Sequence, residues 1–213
     1  TRTAIRLEHR TSIAVCDVFV PSQGVFAIAH ALRKSSTLSH VSLNGDSLNR
    51  KESTAIAQGI FESTSLIDVS FSRIGSAIAL ELLSALKDKE VMRIAMTNGK
   101  LGVEAAKMIA EMSSLTSIDL SFNYMNAEVA KLLLPAIRDN RSLTAINLSA
   151  NNLTNSGRDM TVIRAISEAL VRSSLTVADL RYNKLDTESA TMLATIAKEK
   201  KISLCGITPD QTE

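Results

Sequence analysis

Three stretches decide the fold: Leu115-Thr116-Ser117-Ile118-Asp119-Leu120-Ser121-Phe122-Asn123, Leu143-Thr144-Ala145-Ile146-Asn147-Leu148-Ser149-Ala150-Asn151 and Leu175-Thr176-Val177-Ala178-Asp179-Leu180-Arg181-Tyr182-Asn183. Each fits L-x-x-L-x-L-x-x-N, and an apolar residue follows two positions after the asparagine, at Met125, Leu153 and Leu185. Apolar and polar residues alternate across each block, as they do in a strand with one buried face. A block of this kind that recurs along a chain is one small unit repeated and stacked.

With the frame set, weaker copies appear upstream at Leu38/Val41/Leu43, Leu66/Val69/Phe71 and Val91/Ile94/Met96. Ile13 and Val15 stand 28 residues before Val41 and Leu43, and the same offset relates Val20 to Leu48, Ile28 to Ile56 and Leu32 to Ile60. From Leu38 through Leu66, Val91, Leu115 and Leu143 to Leu175 the steps are 28, 25, 24, 28 and 32 residues. Between the strands, apolar residues at helical spacing predict helices over 24–34, 53–61, 76–87, 103–112, 127–138, 160–172 and 187–198; Val129, Leu133 and Ile137 show the pattern. The 32-residue step has its surplus after Gly157, read as about one extra helical turn of roughly 3.6 residues. Ile202-Ser203-Leu204 reads as a last strand with no helix after it.

These blocks with interposed helices resemble the ribonuclease-inhibitor-like leucine-rich repeats, a class that includes Ran GTPase-activating protein, NOD-like receptors and the C-terminal part of tropomodulins. The resemblance covers about Ser12 to Leu204. It implies an α/β leucine-rich-repeat solenoid, a right-handed horseshoe of about seven repeats plus a terminal strand. Its parallel sheet would line the concave face and its helices the convex face. The expected organisation is one domain over 1–213, with a cap segment at 1–11, repeats over 12–204 and a tail at 205–213. A start at Thr1 rather than Met reads as a piece of a longer protein.

The asparagines Asn123, Asn151 and Asn183 fall at the turn after each strand, where a side-chain amide can satisfy backbone groups freed by the bend. Upstream the same position holds Val18, Asp46, Ile74 and Gly99, so looser or distorted turns are expected there. Outward strand positions form columns. One runs Ala14, Ser42, Ser70, Ala95, Asp119, Asn147, Asp179, Ser203, and the next Cys16, Asn44, Ser72, Thr97, Ser121, Ser149, Arg181, Cys205. At the strand ends come Asp17, Gly45, Arg73, Asn98, Phe122, Ala150, Tyr182 and Gly206. Most are small and polar. Asp119, Phe122, Asn147, Asp179, Arg181 and Tyr182 are the exceptions, and aromatics beside arginine are the types enriched where proteins bind one another. They are the candidate partner-binding residues.

Composition narrows the function further. The chain of 213 residues is 45 % apolar yet only 3 % aromatic, without tryptophan, which suits a core of repeated aliphatic layers. A formal charge of +2, from 24 basic and 22 acidic side chains, provides no field for nucleic acid or an anionic membrane. The longest apolar run, 75–86, is interrupted by Glu81 and falls short of a membrane span. Cys16 and Cys205 sit on the first and last strands, seven steps or about 33 Å apart, too far for a disulfide. Cys16 and His40 fall out of register, about 13 Å apart, so no thiol dyad is expected. The histidines show no metal-ligand spacing, and no phosphate-loop or nucleophile-elbow motif occurs. Asn98-Gly99-Lys100 is too short to cradle a phosphate, and Asp119 and Asp179 stand about 10 Å apart, wide for paired acid and base.

The expectation is therefore a non-enzymatic protein–protein interaction or scaffolding module with no cofactor, metal or small-molecule substrate. It is placed inside the cell, in the cytoplasm, within a cytoskeletal or signalling assembly. A GTPase-activating role like that of Ran GTPase-activating protein and a tropomodulin-like actin-binding role are the alternatives the resemblance implies.

Overall fold

The computed structural model describes residues 10–15, 20–46 and 48–206. In chain order the elements are β1 (Ser12–Val15), α1 (Ser22–Lys34), β2 (His40–Asn44), α2 (Arg50–Glu62), β3 (Asp68–Ser72), α3 (Ser76–Leu86), β4 (Arg93–Thr97) and α4 (Val103–Ala110). They continue as β5 (Ser117–Asp119), α5 (Ala127–Lys131), α6 (Leu134–Asp139), β6 (Ala145–Asn147), α7 (Thr161–Arg172), β7 (Val177–Asp179), α8 (Thr187–Lys200) and β8 (Ser203–Cys205). The strands form one eight-stranded parallel sheet in sequential order. Each crossover is long enough to carry the helix that a parallel connection needs. This is a leucine-rich-repeat-type α/β fold.

The strand register repeats the spacing of the apolar pattern: Ile13 pairs with Val41, Val41 with Val69, Val69 with Ile94, Ile94 with Ile118, Ile118 with Ile146 and Ile146 with Ala178. These side chains all point to the helix side and belong to one continuous core. Leu120, Leu148 and Leu180 lie under the turns and are at most 1 % exposed. Burial of such a side chain stabilises the fold by about 1.5–3 kcal/mol, so the leucine frame is where most of the stability lies.

Local chemistry moves several element boundaries. α2 begins at Arg50 because Asn49 and Glu52 form a reciprocal capping box: Asn49 Oδ1 accepts from the Lys51 and Glu52 amides, and Glu52 Oε2 accepts from the Asn49 amide. The other Glu52 oxygen accepts from the Ser22 hydroxyl and ties the start of α1 to the start of α2. The helix expected over 127–138 is broken into α5 and α6. Pro135, in the first turn of α6, has no amide to donate back along a continuous helix.

Two expectations near the C-terminus are corrected. The surplus of the 32-residue step is not helical, since α7 has 12 residues against 13 in α1 and α2. It lies in a turn where Asn155, Ser156 and Gly157 all have positive φ. Thr154 anchors that turn, its buried hydroxyl donating to the Asn183 carbonyl and accepting from the Gly157 amide. The last strand is also shifted by two residues: Leu204 pairs with Ala178 and Cys205 with Asp179, so Cys205 rather than Ser203 joins the Asp179 column. α8 runs on to Lys200 and ends at Lys201 in the left-handed region, which delays the start of β8.

Where the turns of the N-terminal half are described, the structure shows an unbroken backbone ladder. There the strands are longer, five residues in β2, β3 and β4 against three in β5, β6 and β7. The backbone ladder continues past them through Gly45 N–H to Ser72 O and Arg73 N–H to Thr97 O. At the asparagine position Ile74 is buried against bare glycine backbone: a Cβ on Gly45 would overlap its side chain, and one on Gly99 would lie 2.7 Å from its carbonyl oxygen. Close apolar packing replaces the amide. Val18, Asp17 and Cys16 lie outside the described residues, as do nearly all of the expected cap and tail.

Candidate functional site

The asparagine of each C-terminal repeat holds its turn and its neighbour's. Asn123 Nδ2 donates to the Met96, Leu120 and Ser121 carbonyls, and its Oδ1 accepts from the Gly99 amide. Asn151 Nδ2 donates to the Leu120, Leu148 and Ser149 carbonyls, and its Oδ1 accepts from the Asn123 and Met125 amides. Asn183 repeats the arrangement toward Leu148, Leu180 and Arg181, accepting from Leu153. One amide thus satisfies backbone groups on two adjacent strands, which no local turn could do alone.

A turn fixed this firmly can hold residues in conformations they would otherwise avoid. Phe122, Ala150 and Tyr182, just before the asparagines, have φ of 59°, 51° and 59°; Tyr124 and Lys184, just after two of them, have 56° and 54°. One repeat upstream, Asn98 and Lys100 have 57° and 55° on either side of Gly99. The left-handed region costs an L residue about 1–2 kcal/mol, and asparagine or glycine would cost less. Large side chains stand there nonetheless, facing solvent: Phe122 is 55 % exposed, Tyr124 71 % and Tyr182 75 %. Together they form an aromatic rim along the ends of β5 to β7. An open groove continues it upstream past Lys100 and Leu101 to Asn98, Arg73 and Asp46.

The structure sorts the sequence-predicted residues into two groups. Phe122 and Tyr182 occupy equivalent turn positions two repeats apart, with Ala150 between them. Asp119, Asn147 and Asp179 pair side by side across β5, β6 and β7 but face their own turns. Each Oδ1 accepts the amide two residues on, at Ser121, Ser149 and Arg181. Asn147 Nδ2 also donates to Asp119 Oδ2. Asp179 is only 7 % exposed and accepts two-pronged from Arg181, whose Nη2 lies 2.7 Å from Oδ2. That hydrogen bond, with the attraction of the carboxylate, raises the Arg181 pKa above its ordinary value. Ser121 and Ser149, read as outward, are buried beneath the turns. The acidic column is thus occupied in holding the rim.

The arrangement of strands and helices can be matched. The fold is tropomodulin-like. A tropomodulin C-terminal domain from Caenorhabditis elegans superposes with a TM-score of 0.56 at 17 % identity, over 70 % of this chain and 92 % of that one. Leiomodin-1 actin-binding site 2 is 12 % identical over 86 % of this chain and 91 % of that one, with a TM-score of 0.48. No family model and no curated protein matches the chain.

Tyr124 was not among the sequence-predicted residues, although it flanks Asn123 as Phe122 does. A second group on this tropomodulin-like sheet also went unseen. His40, Asp68 and Arg93 are register neighbours on the open face of β2, β3 and β4. Arg93 Nε donates to Asp68 Oδ2 at 2.8 Å, and Arg93 Nη2 lies 3.1 Å from His40 Nε2. His40 Nε2 also lies 3.7 Å from Asp68 Oδ2, and its Nδ1 is 2.7 Å from Ser39 Oγ. The signal was a charged column one pleat before the one read as central.

Proposed function

We propose that this chain is a non-catalytic protein-docking module that engages its partner through the aromatic rim of Phe122, Tyr124 and Tyr182, in an actin-associated, cytoskeletal setting inside the cell. The observation that carries the reading is three large aromatic side chains, more than half exposed, held on turns whose conformation disfavours them. Aromatics are enriched at the energetic centres of interfaces, and rigid presentation reduces the entropy lost on binding. Likeness to the tropomodulin domain supports the actin-associated part. A ribonuclease-inhibitor-like horseshoe is the shape proposed. Strands about 4.8 Å apart and helices about 8–10 Å apart cannot stack straight, so the sheet takes the inside of the curve.

Co-sedimentation with actin filaments tests the proposal. The wild-type chain is expected to pellet with filaments, and the triple variant F122A/Y124A/Y182A to remain in the supernatant with an unchanged melting temperature. A wild type that stays soluble would remove actin, and a variant that pellets like the wild type would remove the rim.

A further inference from the structure

The rim has chemistry at its ends as well as its centre. Its middle is a notch: Ala150, the smallest side chain among the left-handed non-glycine turn residues of the described chain, stands between Phe122 and Tyr182. With strands about 4.8 Å apart, the two rings stand about 10 Å from each other, wide enough for one aliphatic side chain. Lys100 and Lys184 bound the notch. They occupy the same turn position as Tyr124, Lys100 on the repeat before Phe122 and Lys184 in the turn of Tyr182 itself. Both are exposed, and neither ammonium has a hydrogen bond or ion pair among the described residues. The nearest acids in sequence are already engaged: Asp186 caps α8 through the Ser189 amide, and Glu104 pairs with Lys107. Two uncompensated cations thus stand at the ends of an apolar slot, three strand steps or about 14 Å apart.

We infer that this rim takes an extended, acidic segment of a partner protein. One aliphatic side chain sits over Ala150, and a carboxylate on each side meets Lys100 and Lys184. An extended chain advances about 3.3 Å per residue, so the two carboxylates belong four or five residues apart. Nucleic acid is disfavoured because two lysines make no continuous cationic track. An anionic membrane is disfavoured because the half-buried Asn152 interrupts the apolar surface an interfacial anchor needs. The inference rests on the rim being the docking surface and adds what it docks.

Fluorescence anisotropy with a labelled decapeptide containing Glu-Ser-Ser-Leu-Ser-Glu, at physiological salt, tests it. The wild type is expected to bind at least tenfold tighter than it binds the same peptide with both Glu changed to Lys, or with Leu changed to Ser. K100E/K184E should weaken the Glu peptide at least tenfold, and A150F should abolish binding by filling the notch; melting curves check that both variants are folded. Equal binding of the three peptides, no measurable binding of the Glu peptide, or preference for phosphatidylserine vesicles over it would overturn the inference. Peptide failure with actin pelleting still lost in F122A/Y124A/Y182A would sink the acidic-segment inference and leave the rim standing. Pelleting retained in that variant would sink both.

Discussion

The carboxamide of Asn123 donates to the carbonyl of Met96 across the strand boundary at 2.6 Å, in a site that is 1 % exposed. The side chain that closes one turn therefore belongs equally to the repeat before it. Stability and presentation of the rim are joined at this amide.

Asn123→Ala leaves the Met96 carbonyl and the Gly99 amide short of a partner in a buried turn, while the Ser121 carbonyl keeps the Asn98 amide. At about 1 kcal/mol per net hydrogen bond, and more for groups left unpaired, the loss is expected to be about 2–4 kcal/mol. Urea denaturation measures it, and a change below about 0.5 kcal/mol would mean the amide does not hold the turn.

Tyr182→Gly separates strain from binding. Glycine removes a left-handed penalty of about 1–2 kcal/mol and adds about 0.5–1 kcal/mol of unfolded-state entropy. Thermal unfolding should show stability unchanged or raised by up to about 1.5 kcal/mol while actin pelleting weakens. A clear drop in melting temperature would mean the exposed ring contributes to the fold.

Leu148→Ala empties a position that is 1 % exposed beneath the rim and is expected to cost about 2–5 kcal/mol. The same change at Phe122, which is 55 % exposed, should cost clearly less than that. Equal losses in chemical denaturation would contradict the division into frame and rim.

Glu52 links the chain to pH. The Ser22 hydroxyl, then the Asn49 amide, hold its pKa below the ordinary 4.5 against the opposing effect of burial. A carboxylate with a depressed folded-state value contributes stability that is complete above its unfolded value and disappears as pH falls through the folded one. Glu52→Gln should therefore lower the urea midpoint at neutral pH, with the gap to wild type closing as pH falls below about 4.5. A gap that is constant from neutral pH to pH 3 would show that the charge is not involved.

The leucine frame was legible because one-face burial imposes alternation, and stacking imposes a nearly constant step; Ile118, Ile146 and Ala178 stand where their spacing puts them. The asparagines were legible for a related reason, since only a turn repeats one amide at one place. What escaped the sequence depends on contacts between repeats. Nothing in Asp179 itself says that Arg181 will close over it, and nothing in Ile74 says that Gly45 will leave room for it. The shift of β8 came from α8 running two residues further, to Lys200, and the break at Pro135 was visible as a residue but not as an interruption in apolar spacing. Tyr124 escaped because exposure at a turn has no periodic signature.

Hydrogen exchange of the chain with and without monomeric actin tests the rim most directly. Slowed exchange at residues 122–124 and 182–184, with the open-face residues His40, Asp68 and Arg93 unchanged, is the result predicted. Protection centred on those three residues instead, or no protection anywhere, would contradict it.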